Sequence, residues 1–294
     1  MAILAFDIGG SSIKYAVAEE NGELSAQGKR PVPPTIGEFY DTLADVRREL
    51  SHGREFTGAA FSFPGAVDTE TGLIGGSSAL PYIHGFPIQQ AIEERLSLPC
   101  ALENDANCAA LGEAWLGVGK DYRDMAFFVI GTGVGGAVVI DKKIHHGKHV
   151  HGGEFGYMLL GKDHTILSDL GSTRIVVQRV TEALRLAPGS LDGKQVFDLA
   201  EHGNKYAVQA VTEFYEVLAR GIYNLQYAID PEIFVLGGAV SERPGFAAAI
   251  QRHVDKILKD VGVAHVRPIV RAAAFGNEAN LLGAVKNFLD SRKA

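Results

Sequence analysis

Apolar residues in this chain come in short runs broken by glycines, and these alternate with segments of helical period. Runs at 2–6 and 13–17 flank Asp7 and the turn Gly9-Gly10-Ser11, which predicts two antiparallel strands. Asn21-Gly22-Glu23 turns the chain into a third strand over 24–30, and the Pro-rich stretch 30–34 is a connector. Phe39, Leu43, Val46 and Leu50 recur at helical spacing and predict a helix over 36–50. A buried strand over 56–65 ends in Pro64-Gly65, and the chain is then loop-rich to Leu80. A helix over 87–96, a strand over 98–103 and a helix over 104–115 follow, the last starting directly from the strand. Residues 129–140 then repeat the opening pattern of strand, glycine turn and strand. A long helix over 206–228 leads to a strand over 230–240 that ends in Gly237-Gly238. Pro244 suits the first turn of a helix over 244–261. A strand in 265–275 and a helix over 278–289 complete the pattern.

Taken alone, the first glycine turn reads either as a tight hairpin or as an anion cradle, in which closely approaching backbone N–H groups point at a phosphate. It is neither a P-loop nor a dinucleotide fingerprint, because a strand follows where those motifs need a helix. The spacing that carries Asp7 onto Gly131 also carries Gly9 onto Gly133, a weak internal repeat that implies two similar domains. Three glycine turns at the ends of three strands, with helices interleaved, point to an α/β nucleotide-binding protein, since ligands collect at the carboxyl ends of strands.

Composition narrows the partners. Of the 294 residues, 46% are hydrophobic and 21% charged, which allows two substantial cores. A formal net charge of −7 argues against nucleic acid as a partner. Cys100 and Cys108 are a poor disulfide pair and fit a reducing cytoplasm. The N-terminus lacks the pattern of a signal peptide, because Asp7 interrupts its apolar run. Glycines 131, 133, 135 and 136 divide the longest apolar stretch, so no membrane span is expected.

The motifs DIGGSSIK (7–14), FPGAVD (63–68), ENDAN (103–107), IGTGVGG (130–136), GGEFGY (152–157) and LGGAV (236–240) together resemble the ROK family of repressors, open reading frames and kinases. The resemblance spans nearly the whole chain and implies the two-domain actin/hexokinase-like fold. That fold has duplicated ribonuclease-H-like sheets and an interdomain cleft that closes around ATP. It divides the chain into an N-terminal α/β domain over 1–115 and a C-terminal α/β domain over 116–277, with a helix over about 278–294 packing back on the first domain. Within the family, GGEFGYM, STRIVV, SERPGF and GNEANLLGAVKNF are most similar to the zinc-less bacterial group of β-glucoside kinases and related hexose kinases.

The resemblance implies an ATP-dependent kinase acting on a sugar hydroxyl, most often the 6-OH of a hexose or β-glucoside. Asp105 begins a helix directly after a strand. It is either a helix cap or the general base that takes the proton of the attacking hydroxyl, and the resemblance favours the base. Asn104, Gly65, Glu154 and Tyr157 are then expected at the sugar. Asp7, Gly9, Gly10, Ser11 and Lys14, with Gly131, Thr132, Gly133 and Gly135 opposite, are expected at the ATP phosphates, and Gly237 and Gly238 at the adenosine. Asp7 is useful near phosphates only if Mg²⁺ lies between them. A homodimer is expected by resemblance.

The chain departs from the family at the sugar side. Tyr157 stands where many relatives have a histidine, and 161–173 contains no cysteine, so the family's zinc loop is missing. That loop is expected to be held without zinc by packing of Tyr157, Leu167 and Leu170. Arg174 or a neighbour takes the place of a second sugar-contacting glutamate, and 79–86 lacks an Asn common in glucokinases. The histidine-rich stretch 145–151 tempts a metal reading, but no second cluster completes a site. A free-hexose kinase of the glucokinase, mannokinase or N-acetylmannosamine kinase type is the alternative. A sugar-sensing repressor of this family would carry a helix-turn-helix domain before a first strand that here begins near Ala2.

Overall fold

The computed structural model describes residues 2–293 and divides into two compact units. The first comprises Met1–Lys120, His146–Gly152 and Asn277–Ala294; the second comprises Asp121–His145 and Gly153–Gly276. In chain order the first unit is built from β1 (Ala2–Ile8), β2 (Ser12–Ala18), β3 (Leu24–Pro31), α1 (Ile36–Leu50), β4 (Phe56–Phe63), β5 (Ala66–Asp68), β6 (Leu73–Gly75), α2 (Ile88–Leu96), β7 (Cys100–Asn104) and α3 (Asp105–Trp115). Its sheet has the order β3-β2-β1-β4-β7, with β1, β4 and β7 parallel and β2 and β3 antiparallel.

Alternation along β1 sorts the two faces. Leu4, Phe6 and Ile8 join Phe61 and Phe63 of β4 in a core under α1 and α2. Ile3, Ala5 and Ala60 face the other way. The small residues on that second face let helices come close.

The second unit contains β8 (Met125–Ile130), β9 (Val134–Ile140), β10 (Lys143–Ile144), α4 (Leu167–Leu170), α5 (Thr173–Ala183), α6 (Gly193–Glu201), α7 (Lys205–Ile229), β11 (Ile233–Gly237), α8 (Phe246–Val261) and β12 (Val270–Ala272). Its sheet, β10-β9-β8-β11-β12, repeats the first in order and direction. The chain then returns to the first unit as α9 (Ala279–Ser291), which packs on α3 and on the small-residue face of the first sheet. Glycines set the distance between these helices. A Cβ on Gly112 would stand 2.5 Å from the Ala279 carbonyl oxygen, and one on Gly283 would overlap the Cys108 carbonyl. No helix among the described residues is long and apolar enough to cross a membrane.

Several expected boundaries move. The first unit runs on to Lys120 rather than ending at residue 115. The reason is that the N–H groups of Gly119 and Val118 fold back onto the carbonyl and side chain of the buried Glu113. Residues 146–152 fall in the first unit rather than in the expected second domain. The strand expected in 265–275 is reduced to Val270–Ala272, since Pro268 and the residues before it stay outside the ladder. The expected loop after Gly65 contains the small β5–β6 hairpin. Gly245, not Pro244, precedes the first residue of α8, so the proline lies outside the helix. The repeat is also shifted by register. Ile8 and Ile130 both end their strands, and Gly9 N–H and Gly131 N–H both close their turns, so Gly9 corresponds to Gly131 and not to Gly133.

Candidate active site

The parallel strands β1, β4 and β7 finish at one edge of the first sheet. Asp7 pairs with Ser62, and Ser62 with Glu103, so these three side chains stand side by side on the face covered by α3 and α9. Asp7 is buried, and its Oδ1 accepts from Ser62 Oγ at 2.9 Å and from Asn280 Nδ2 at 3.0 Å. Lys14, opposite Asp7 in the β1–β2 ladder, approaches its Oδ2 at 3.3 Å. Ser62 and Asn280 were not among the expected residues. Their only sequence signal is a polar residue inside an apolar run.

Asp105 is the first residue of α3, immediately past the end of β7. Its Oδ1 accepts from its neighbour's N–H, Ala106, at 2.8 Å and from Asn104 Nδ2 at 3.1 Å. Asn104 is the helix cap: its Oδ1 accepts from Asn107 N–H at 3.1 Å. Its Nδ2 also donates to the Gly65 carbonyl at 2.9 Å. The capping role and the orienting of Asp105 therefore coexist in one side chain. Gly65 sits at φ +102°, a conformation that favours glycine, and a Cβ there would meet His84 at 3.0 Å.

Under Asp105 lies Glu103, which is fully buried. Its Oε1 accepts from Asn104 N–H at 2.7 Å and Asn107 Nδ2 at 2.9 Å, and His146 Nε2 donates to its Oε2 at 2.7 Å. Burial first, then the charges of Glu103, Asp7 and Asp105, push the Cys108 thiol well above its ordinary range. Burial likewise raises the Cys100 thiol, so both cysteines are protonated and inert.

The first glycine turn is closed by Gly9 N–H donating to the Ser12 carbonyl, which leaves Gly10 and Ser11 exposed. In the second unit the corresponding turn is anchored from α5. Thr173 donates to the Gly131 carbonyl from both its N–H, at 2.8 Å, and its hydroxyl, at 2.7 Å. Thr132 is exposed at the tip. A Cβ on Gly131 would meet nothing within 4 Å, so the protein's own packing does not require glycine there. The contrast is with Gly237, whose Cβ would stand 2.5 Å from the Phe127 ring, and with Gly238, which has φ +89° and lies against the Ile130 carbonyl. Packing of β11 on β8 accounts for both of those glycines.

Glu154 and Tyr157 are exposed at the two ends of a single turn in the second unit whose Phe155 and Gly156 are buried, so neither side chain is drawn into that unit's core. Tyr157 is 68% exposed, so it does not hold the following loop as the sequence reading expects. Leu167, fully buried, does so, with Leu170 packed beside it, and Leu167 N–H donates to the Met158 carbonyl. Ser168 Oγ accepts from Val134 N–H, tying the same loop to β9. Arg174 pairs with Asp169 at 3.0 Å. The four histidines of 145–151 diverge: His146 reaches Glu103, whereas His145, His149 and His151 are exposed. Among the described residues no group of three metal-ligating side chains converges.

Comparison with known proteins gives a consistent picture. The family model described as "ROK family" matches residues 3–290. A β-glucoside kinase of Listeria monocytogenes is 34% identical over 98% of this chain and 98% of its own. A ROK family protein of Streptococcus pneumoniae TIGR4, solved in complex with sucrose, superposes with a TM-score of 0.92 at 36% identity, covering 100% of this chain and 99% of that one. A ROK family glucokinase of Streptomyces griseus, solved with glucose and AMPPNP, gives a TM-score of 0.79 at 26% identity over 97% and 98% of the two chains.

Proposed function

Because this chain belongs to the ROK family, we propose that it is an ATP-dependent sugar kinase in which Asp105 is the general base toward the sugar hydroxyl. The observation that carries this reading is the placement of Asp105. It is a carboxylate at the carboxyl end of a parallel strand and the first residue of a helix, oriented by Asn104 and Ala106 N–H. A sugar hydroxyl is a poor nucleophile at neutral pH. A carboxylate in hydrogen-bond reach aligns it and accepts its proton as the new phosphorus–oxygen bond forms. Asn104, Gly65, Glu154 and Tyr157 serve the sugar in this reading, although the Asn104 amide already serves the cap and Gly65.

The turns at Gly9, Gly10 and Ser11 and at Gly131, Thr132, Gly133 and Gly135 receive the phosphates of ATP. The space left by the missing side chain at Gly131 favours that role. Gly237 and Gly238 take the adenosine side. Asp7 is a buried carboxylate held by the Ser62 hydroxyl, the Asn280 amide N–H and Lys14, and its anionic oxygens suit a hard cation that keeps most of its water. Asp7 and its neighbours would hold Mg²⁺ through water, and the bound ion supplies neutralisation of the triphosphate charge.

The acceptor is a hexose or a β-glucoside, phosphorylated at the 6-OH. The β-glucoside is favoured by the likeness to the Listeria enzyme and by the departures at Tyr157 and Arg174. The working assembly is a homodimer. The test is a coupled assay of ADP formation over glucose, mannose, N-acetylmannosamine, fructose, cellobiose and gentiobiose. Sugar-dependent, Mg²⁺-dependent turnover is expected, including a β-linked disaccharide phosphorylated on its non-reducing unit. Activity confined to free monosaccharides would remove the β-glucoside assignment, and no sugar-dependent turnover at all would remove the kinase.

A further inference from the structure

We propose that His146 is a positioning residue of the transfer site: it clamps the buried Glu103 carboxylate that holds Asn104 and Asn107, and through them it fixes the aim of Asp105. The inference rests on the kinase reading above and names a part of the site that lies in neither glycine turn nor in the ENDAN segment itself.

The geometry forms a continuous chain. Glu103 is fully buried, and a buried carboxylate is costly without a charged partner. Its Oε1 is occupied by two neutral donors, the Asn104 N–H and the Asn107 amide. Its Oε2 receives His146 Nε2 at 2.7 Å, and the His146 side chain is 31% exposed. From Asn104 the chain continues to Asp105 Oδ1 and to the Gly65 carbonyl.

The loop that carries His146 is closed on itself. Gly152 N–H donates to the His146 carbonyl at 2.8 Å, so residues 146–152 leave and return at one point, and that point is the clamp. This explains why the segment belongs to the first unit although both its flanks lie in the second.

The groups that face the imidazole are Glu103 on β7 and Asp68 on β5, both acidic. The hydrogen bond to Glu103 raises the His146 pKa above the ordinary 6.5, against the burial that lowers it, and the charges of Glu103 and Asp68 add to the rise. The ring is therefore cationic over a wider pH range than a free histidine. What the pair contributes is complete below about 6.5 and is lost as pH rises through the folded value. Loss of the charge leaves Glu103 buried with neutral donors only, and the carboxylate is then free to draw Asn104 away from Asp105.

Two measurements on the full chain decide the matter. In the wild-type protein, the His146 imidazole is titrated by nitrogen-15 NMR, with His146→Gln identifying its signal. A pKa above 6.5 that falls toward the ordinary value in Glu103→Gln is expected. In parallel, kcat and the KM for MgATP are measured from about pH 6 to pH 9. His146→Ala is expected to lower kcat roughly tenfold, as a small misalignment of the reacting groups does, with KM changed less than about twofold. His146→Gln, which keeps a neutral donor, is expected to recover part of that loss while abolishing the alkaline fall in kcat. If His146→Ala does not fold, His146→Gln and the titration carry the test. An ordinary or lowered imidazole pKa, or a wild-type kcat profile in either His146 variant, overturns the proposal. Absence of sugar-dependent turnover in the wild-type protein is instead a failure of the kinase reading, and the titration alone then decides whether His146 holds Glu103.

Discussion

At the scale of single residues, the site depends on polar side chains placed where strands would otherwise be apolar. Asp7 is legible in the sequence because it interrupts a strand just before glycines. The two donors to its Oδ1 are not, since Ser62 and Asn280 lie far from Asp7 in the chain and only the register of β4 and the docking of α9 bring them to it. Asn280 donates to both Asp7 and Ser62 and so holds the pair as one unit. Removing it in Asn280→Ala leaves Asp7 Oδ1 with one donor. A hydrogen bond to a charged group contributes about 1.5–3 kcal/mol, so the KM for MgATP should rise roughly tenfold or more while the KM for sugar stays within about twofold. Steady-state kinetics with each substrate varied in turn checks this, and an unchanged MgATP dependence would detach Asn280 from the nucleotide side. The histidine-rich stretch shows the limit of composition as a guide. Four histidines suggest a metal, but one of them faces a buried acid and the others face solvent.

At the scale of elements, legibility follows the strength of local signals. Helix α1 occupies the expected 36–50, because Phe39, Leu43 and Val46 are buried on one stripe and Thr35 accepts from Glu38 N–H at its start. Helix α6 is missed although Asp192 and Gln195 form a capping box, since only Val196 and Phe197 of its nine residues are fully buried. The β5–β6 hairpin is missed because three-residue strands carry no period. The close approach of α3 and α9 is likewise invisible in the chain, where Gly112 and Gly283 look like ordinary helix-weakening glycines. In the fold they are sites where backbone meets backbone. Gly283→Ala must displace α9 from the Cys108 carbonyl, which overpacks the core at a cost of about 1–3 kcal/mol or more. Gly37→Ala, in exposed helix with nothing within 4 Å of the new methyl, should instead stabilise by about 0.5 kcal/mol. Urea unfolding of both variants tests the pairing, and a Gly283→Ala protein as stable as the parent would contradict the close contact.

At the scale of the whole molecule, one design is used twice. Each unit has a sheet in which an antiparallel hairpin with a glycine turn precedes two parallel strands. The repeat was visible in the sequence, though offset, because matching glycines by spacing ignores the longer first turn. The structural correspondence aligns Asp7 with Val129, so the acid belongs to the first unit alone. The first unit also holds Asp105 and the Glu103–His146 pair, so the groups to which the proposal gives proton handling and cation binding lie in one unit. The second unit offers a glycine turn braced by Thr173. In the proposed kinase this asymmetry serves a transfer between an anionic donor and a hydroxyl acceptor, with Asp105 at its proposed centre. The most direct measurement is therefore kcat for Asp105→Asn, taken together with the Kd for sugar by calorimetry. The account predicts a folded protein whose Kd lies within about threefold of wild type and whose kcat falls about 10²–10⁴-fold, the usual contribution of a positioned base. A folded Asp105→Asn variant that retains kcat within about threefold of wild type would contradict it.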